Sequence, residues 1–210
     1  MFNKFLNLFT RKDEEKRLQR SVFGVMLAGG VAALSAAFVL TLEKFHLYEN
    51  PDAVLSCSFN LVLNCSTVMQ TWQASVFGFP NMLIGLVAFP VVITVAVAGL
   101  AGVKFPRWFL AAANAGYLFG LIFSYWLFFQ SVYAIQVLCP WCLIVTASTT
   151  LIFSAMTHYN LKLNTFNLPK KVNEPIQRFL KGGYHQMLVA AWLALMVALV
   201  FIKFGADLFA

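Results

Sequence analysis

The sequence predicts an all-α membrane protein: a four-helix transmembrane bundle core plus a fifth transmembrane helix, with an external loop carrying a short helix. Three observations predict it. The chain is 60% hydrophobic and 11% charged, where soluble domains run nearer a quarter charged. Residues 21–42, 53–103, 108–161 and 182–202 contain no Asp, Glu, Lys or Arg. Each stretch holds at least one apolar segment of roughly 20 residues, enough to cross a bilayer as a helix, and the third has room for two. The basic residues cluster between these stretches rather than within them.

Taken in order, residues 1–21 form a polar N-terminal segment. Phe2, Phe5, Leu6 and Phe9 recur there at helical spacing beside Lys4 and Arg11, which suits either a short interfacial helix or a frayed tail. Span 1 covers about 22–42. It is too long for a cleaved signal segment, and further spans follow it. Gly29, Gly30 and the Ala-rich middle suit close helix contact in lipid. The loop 43–79 is half apolar and is expected on the bilayer surface. Residues 66–75 are expected to form its short helix, and Gly78 and Pro80 close it. Spans 2 to 5 follow at about 80–103, 108–130, 140–159 and 184–204. The linker 131–138 is short and uncharged, and 161–183 reads as a connector. The domain reading is therefore 1–21 cytoplasmic, 22–160 catalytic four-helix domain, 161–183 cytoplasmic loop, and 184–210 fifth helix with an external C-terminus.

The net charge of +7 raises the question of nucleic acid, but its distribution answers differently. Lys4, Arg11, Lys12, Lys16, Arg17 and Arg20 precede span 1. Lys104 and Arg107 separate spans 2 and 3. Lys162, Lys170, Lys171, Arg178 and Lys181 separate spans 4 and 5. These are 13 of the 15 Lys and Arg, and only Lys44 and Lys203 lie elsewhere. With five spans all three regions share one side, the cytoplasmic one by the positive-inside rule. The C-terminus and all four cysteines then lie on the outer face, where disulfides persist.

Those cysteines form two pairs, Cys57 and Cys65 in a C-x7-C spacing, and Cys139-Pro140-Trp141-Cys142 in a C-x2-C spacing. With Cys139 at the N-cap and Pro140 at the first helical position, Cys142 falls one turn in. Residues three apart on a helix are about 5–6 Å apart, within reach of a disulfide. The helix N-terminus stabilises a thiolate there. Cys57 and Cys65 would be about 12 Å apart on a straight helix, so pairing them requires a turn, for which Asn60 and Asn64 are suited. A loop dithiol beside a helix-cap dithiol suits a redox relay. Three alternatives stand beside it: a Cys₄ zinc site, a non-enzymatic metal-binding or metal-transport membrane protein, and two inert structural disulfides.

The residues resemble the vitamin K epoxide reductase (VKOR) family, especially bacterial members without a fused thioredoxin domain. The resemblance covers about 22–159. It rests on the C-x7-C loop, Thr71 six residues after Cys65, Phe77-Gly78, Asn81-x3-Gly85, and the later C-x2-C opening a span. Quinone reductases of the DsbB type carry the two pairs in reverse order. The resemblance implies an enzyme, a membrane thiol:quinone oxidoreductase of the bacterial inner membrane. It would reoxidise a secreted thioredoxin-fold (DsbA-like) partner and reduce a quinone, ubiquinone or menaquinone, with no metal. It implies that Cys57 exchanges with the partner, Cys65 attacks Cys139, and Cys142 faces the quinone. It further implies that Asn81 hydrogen-bonds a quinone carbonyl and that Thr71 supports the loop. The chain ends at Ala210, so the partner is expected to be a separate protein.

One position departs from the family. Animal members carry a ligand-contacting tyrosine where this chain has Thr146, which weighs against reduction of vitamin K epoxide. Trp141 and Trp72 flank the cysteines as either quinone contacts or interface anchors. For Trp126, Phe128 and Phe129, packing or lipid contact is the first expectation. His46, His158 and His185 read as interfacial, Asn114 as an interhelical hydrogen bond, and Glu43, Glu49 and Asp52 as solvated loop charges.

Overall fold

The computed structural model describes the backbone of residues 2–51 and 53–205, and the side chains of 13–51 and 53–205. Phe2, Phe5, Leu6 and Phe9 have side chains outside this range. Asp52 and Ala210 lie outside the described residues altogether.

Seven α-helices occur among the described residues: α1 (Phe2–Glu49), α2 (Cys65–Met69), α3 (Met82–Leu100), α4 (Arg107–Phe129), α5 (Pro140–Lys162), α6 (Lys170–Lys181) and α7 (Tyr184–Phe204). Five of them, all but α2 and α6, contain segments long and apolar enough to cross a membrane. The protein is a multi-pass all-α membrane protein.

Helix α1 is the hub and packs against both α3 and α5. Its 48 residues rise about 70 Å, well beyond the hydrocarbon thickness of about 30 Å. Gly29 and Gly30 explain how two neighbours approach so closely. A Cβ on Gly29 would stand 3.2 Å from Ile152 of α5, and one on Gly30 would stand 3.0 Å from Ile93 of α3. Consecutive glycines thus serve different partners, the small-residue packing that lipid favours.

Polar ties complete the bundle where α4 meets α5. Thr157 donates to Asn114 Oδ1 at 3.1 Å, the interhelical bond expected at Asn114. Asn160 Nδ2 donates to the Leu110 carbonyl at 3.2 Å. Such bonds contribute about 0.6 kcal/mol each in a bilayer, so they orient helices more than they hold them. Helix α7 lies outside this core. Trp192 donates to the Tyr125 hydroxyl at 2.7 Å, and His185 meets the Ser154 carbonyl at 3.1 Å.

Two segments differ from the sequence expectation. The connector 161–183 contains α6, because Val172, Ile176 and Leu180 recur every four residues and Leu180 is buried. Pro175 lies inside that helix and masks the pattern, since proline normally breaks helix interiors. The linker 131–138 is mostly one π-helical turn, Gln130–Ile135, which continues α4 and stops at Gln136 in the left-handed region.

One consequence of the packing shapes the site. Helices α3 and α4 make no extensive contact with each other. The space between them is a cavity of about 240 Å³, walled also by α1 and α5 and roofed by the loop 53–81.

Candidate active site: two cysteine pairs above an apolar cavity

The loop is shaped by its own asparagines. Asn60 Oδ1 accepts from the backbone N–H groups of Val62 at 3.0 Å and Leu63 at 2.7 Å. Phe59 N–H donates to the Leu63 carbonyl at 2.8 Å. Asn64 caps α2 by accepting from Thr67 N–H at 3.1 Å, and it also accepts from the Ser58 hydroxyl at 3.0 Å. The resulting turn brings the Cα atoms of Cys57 and Cys65 to 5.7 Å, and the two are joined as a disulfide.

The second pair sits where helix geometry puts it. Cys139 is the N-cap of α5 and Pro140 opens the helix. The Cys142 N–H lies 3.4 Å from Cys139 Sγ, and both thiols are free. The Cys142 side chain, hydrogen-bonded to Cys139, holds the Cys139 thiol below its ordinary pKa. The backbone N–H groups of Cys142 and Trp141 act in the same direction, and burial opposes them.

A backbone clamp joins the pairs. Asn64 N–H donates to the Leu138 carbonyl at 3.0 Å, and Leu138 N–H donates to the Val62 carbonyl at 2.7 Å. This parallel bridge, Leu63 beside Leu138, lies just before Cys65 on one side and Cys139 on the other. The sulfurs of Cys65 and Cys139 are 3.3 Å apart, within reach of thiol–disulfide exchange.

Cys57, Cys65 and Cys139 are each at most 2% exposed. A protein partner cannot reach Cys57 until the loop opens. Glu43 ties the loop to α1, its carboxylate accepting from both the N–H and the hydroxyl of Ser56. Glu43 thus makes a loop contact while staying partly exposed. Lys44 likewise donates to the Met69 carbonyl at 2.8 Å, tying the C-terminus of α2 to α1. Outside the closed disulfide the loop exposes Val54 (87%), Phe59 (70%) and Leu61 (91%).

Below the sulfurs lies the cavity, and Cys139 and Cys142 line its head. Its wall is apolar, and no Asp, Glu, Lys, Arg or His lines it among the described residues. Asn81 lines the roof. Its side chain donates to the Gln73 carbonyl at 2.7 Å and accepts from Val76 N–H at 3.3 Å. Thr71 lies between α2 and the 3-10 turn Trp72–Ser75, where its hydroxyl donates to the Val68 carbonyl at 2.8 Å. Thr146 lines the cavity and donates to the Cys142 carbonyl at 3.0 Å. Trp141 packs with the buried cluster around Cys57, Cys65 and Cys139 and is not part of the cavity lining. Phe128 does line it. Trp72, Trp126 and Phe123 form an aromatic row at the rim, with ring centroids 6.1 Å apart at each step.

The sequence did not signal the contacts of Gln73, Gln130, Glu43 and Lys44. Their contacts join positions 13 to 57 residues apart, which no local pattern signals. Among the described residues no group of three or more His, Cys, Asp or Glu is placed to hold a metal ion.

No curated protein matches this chain. A family model described as the vitamin K epoxide reductase family matches residues 24–157, a stretch that includes both cysteine pairs, Thr71 and Asn81 and amounts to well over half of the chain. The chain belongs to the vitamin K epoxide reductase family, a family of membrane oxidoreductases that work by cysteine redox chemistry.

Proposed function

We propose that this protein is a membrane thiol:quinone oxidoreductase. It reoxidises a thioredoxin-fold (DsbA-like) thiol protein on the outer side of a bacterial inner membrane. It passes the electrons through its two cysteine pairs to a membrane quinone, ubiquinone or menaquinone, and so supports disulfide bond formation. One observation carries the reading. A bonded Cys57–Cys65 pair stands 3.3 Å from the free Cys139, whose helix partner Cys142 lines an apolar cavity between α3 and α4. The cavity suits a flat, uncharged ring, and the weak α3–α4 contact suits entry from lipid.

The steps balance in thiols and disulfides. A partner thiolate attacks Cys57 and releases Cys65. The second partner thiol closes the partner's disulfide and frees Cys57. With Cys139–Cys142 oxidised, Cys65 attacks Cys139 and Cys142 leaves as a thiolate in the cavity wall. Cys57 then attacks Cys65, which re-forms the loop disulfide and frees Cys139. The resulting state, loop pair bonded and helix pair reduced, is the state of the structure. Closure of Cys139–Cys142 delivers two electrons, and the two thiols supply the two protons, so no charged side chain is needed. The N-cap position favours thiolate at Cys139 for that closure. Asn81 retains one amide hydrogen for a developing negative charge on a ring oxygen.

Purified protein given a reduced thioredoxin-fold partner and a quinone is expected to form quinol. Cys142→Ala is expected to form none, because Cys139 then has no neighbouring thiol with which to close a disulfide. Absence of quinol from the wild type, or full turnover by the variant, would overturn the reading.

A further inference from the structure

A quinone and its quinol make opposite demands on a binding site. The quinone oxygens only accept hydrogen bonds, whereas the quinol hydroxyls also donate them. A site that handles both needs a neutral group able to do either. Among the described residues the cavity has no charged lining, and its thiols are weak donors and acceptors, so the group sought is an amide or a hydroxyl.

Most of its polar side chains are already committed. The hydroxyls of Ser124, Thr146 and Thr149 donate to carbonyls of their own helices, and Ser131 donates to the Val137 carbonyl. None of these has a hydrogen left for a quinone carbonyl. Asn81 spends one N–H on Gln73 and its oxygen on Val76. Tyr117 lies 11 residues before Phe128 on α4, about three turns or 16 Å deeper along the helix.

Gln73 is different. It is 8% exposed and, like Asn81, Cys139 and Cys142, lines the cavity. Its Nε2 donates to Gln130 Oε1 at 3.3 Å, which leaves one N–H. Its Oε1 has no hydrogen-bond partner among the described residues. Gln130 opens the π-helical turn after α4, and such turns are frequent at functional sites.

Building on the thiol–quinone reading above, we propose that Gln73 is a ring-binding residue for the quinone. Its free N–H donates to a ring carbonyl of the oxidised acceptor, and its Oε1 accepts from the hydroxyl formed on reduction. Gln130 takes only the other amide hydrogen.

The test uses full-length protein in detergent with a short-chain quinone and its quinol. Gln73→Met keeps the length of the side chain and removes both polar atoms. It is expected to raise the quinone KM and the quinol inhibition constant about three- to tenfold each, the range of one or two neutral hydrogen bonds. Disulfide exchange between the cysteine pairs and the thermal unfolding midpoint are expected to stay near wild type. Gln130→Leu breaks the same Gln73–Gln130 bond but leaves the Gln73 amide in place, so it is expected to retain most of the affinity. Equal losses in the two variants would make the pair a structural tie and overturn the proposal. Unchanged KM and inhibition constant in folded Gln73→Met would also overturn it. Should Met not be tolerated at 73, Gln73→Asn withdraws the amide by one methylene and is held to the same expected losses. Wild type that forms no quinol overturns the parent reading and this one with it. Active wild type with indifferent variants overturns this one alone.

Discussion

Cys65 and Cys139 are the two sulfurs already within exchange distance, at 3.3 Å, and the clamp at Leu138 holds them there. Removing the Cys142 thiol strands Cys139 as a lone nucleophile beside a disulfide. In Cys142→Ser, Cys139 is expected to attack Cys65 and release Cys57, trapping a Cys65–Cys139 bond. Non-reducing peptide mapping reads this, and a Cys57–Cys139 link would contradict the geometry. The pH dependence of trapping follows from what lowers the Cys139 pKa, first of all the Cys142 side chain. A lowered pKa means that thiolate appears at lower pH. The trapping rate should therefore rise with pH and level off below the ordinary thiol value of about 8.5. Ser at 142 keeps a side-chain donor and Ala does not, so the midpoint in Cys142→Ala should lie higher than in Cys142→Ser. Equal midpoints would mean that the backbone N–H groups alone set it.

Among the elements, the loop 53–63 is the one expected to open, with α5 staying fixed. The Cys57–Cys65 disulfide is buried, yet the proposed reaction requires it to meet a protein. The hydrogen bonds from Ser56 to Glu43 are exposed and few, whereas the clamp is backbone to backbone. Opening should therefore lift Cys57 and leave Cys65 at Cys139. Glu43→Ala is expected to speed reduction of the loop disulfide by a thioredoxin-fold partner about fivefold, the effect of losing roughly 1 kcal/mol of closing energy. The quinone KM should not move. Stopped-flow reduction followed by thiol trapping measures this, and an unchanged or slower rate would remove Glu43 as the latch. The contrast shows what was legible in the chain. Cys139-Pro140 at a helix start and Asn60 and Asn64 in a turn are local chemistry within a few residues, and the spacing alone places them. Asn114 was legible because a polar side chain inside a span needs a partner. Glu43 with Ser56, Lys44 with Met69 and Gln73 with Gln130 come together only through the fold. Helix α6 was lost to Pro175, since a single breaker outweighs three apolar residues when packing on α5 and α7 is unknown.

On the scale of the whole molecule, charge and sulfur lie at opposite ends. The basic residues Lys104, Arg107, Lys162 and those of α6 gather where α3 meets α4 and α5 meets α7. The cysteines and the loop 53–81 lie at the other end, and the cavity runs inward from them. The separation matters because the relay works only if its partner-facing disulfide is on the oxidising side while quinone arrives from within the bilayer. On the proposed reading, the positive-inside rule would orient the bundle so that both conditions hold. Helix α6 sharpens the expectation. Its exposed Lys170, Lys171, Arg178 and Lys181 beside exposed Val172 and Phe179 suit a helix resting on the anionic inner leaflet. A topology experiment decides it. In a variant with its four cysteines changed to serine, single cysteines are introduced as Val54→Cys and Glu174→Cys, both at exposed positions. In spheroplasts of a bacterial host, a membrane-impermeant maleimide is expected to label position 54 and to spare position 174 until the cells are lysed. Labelling in the reverse order would put the cysteines on the reducing side and end the thiol-oxidase reading, whatever the geometry of the sulfurs.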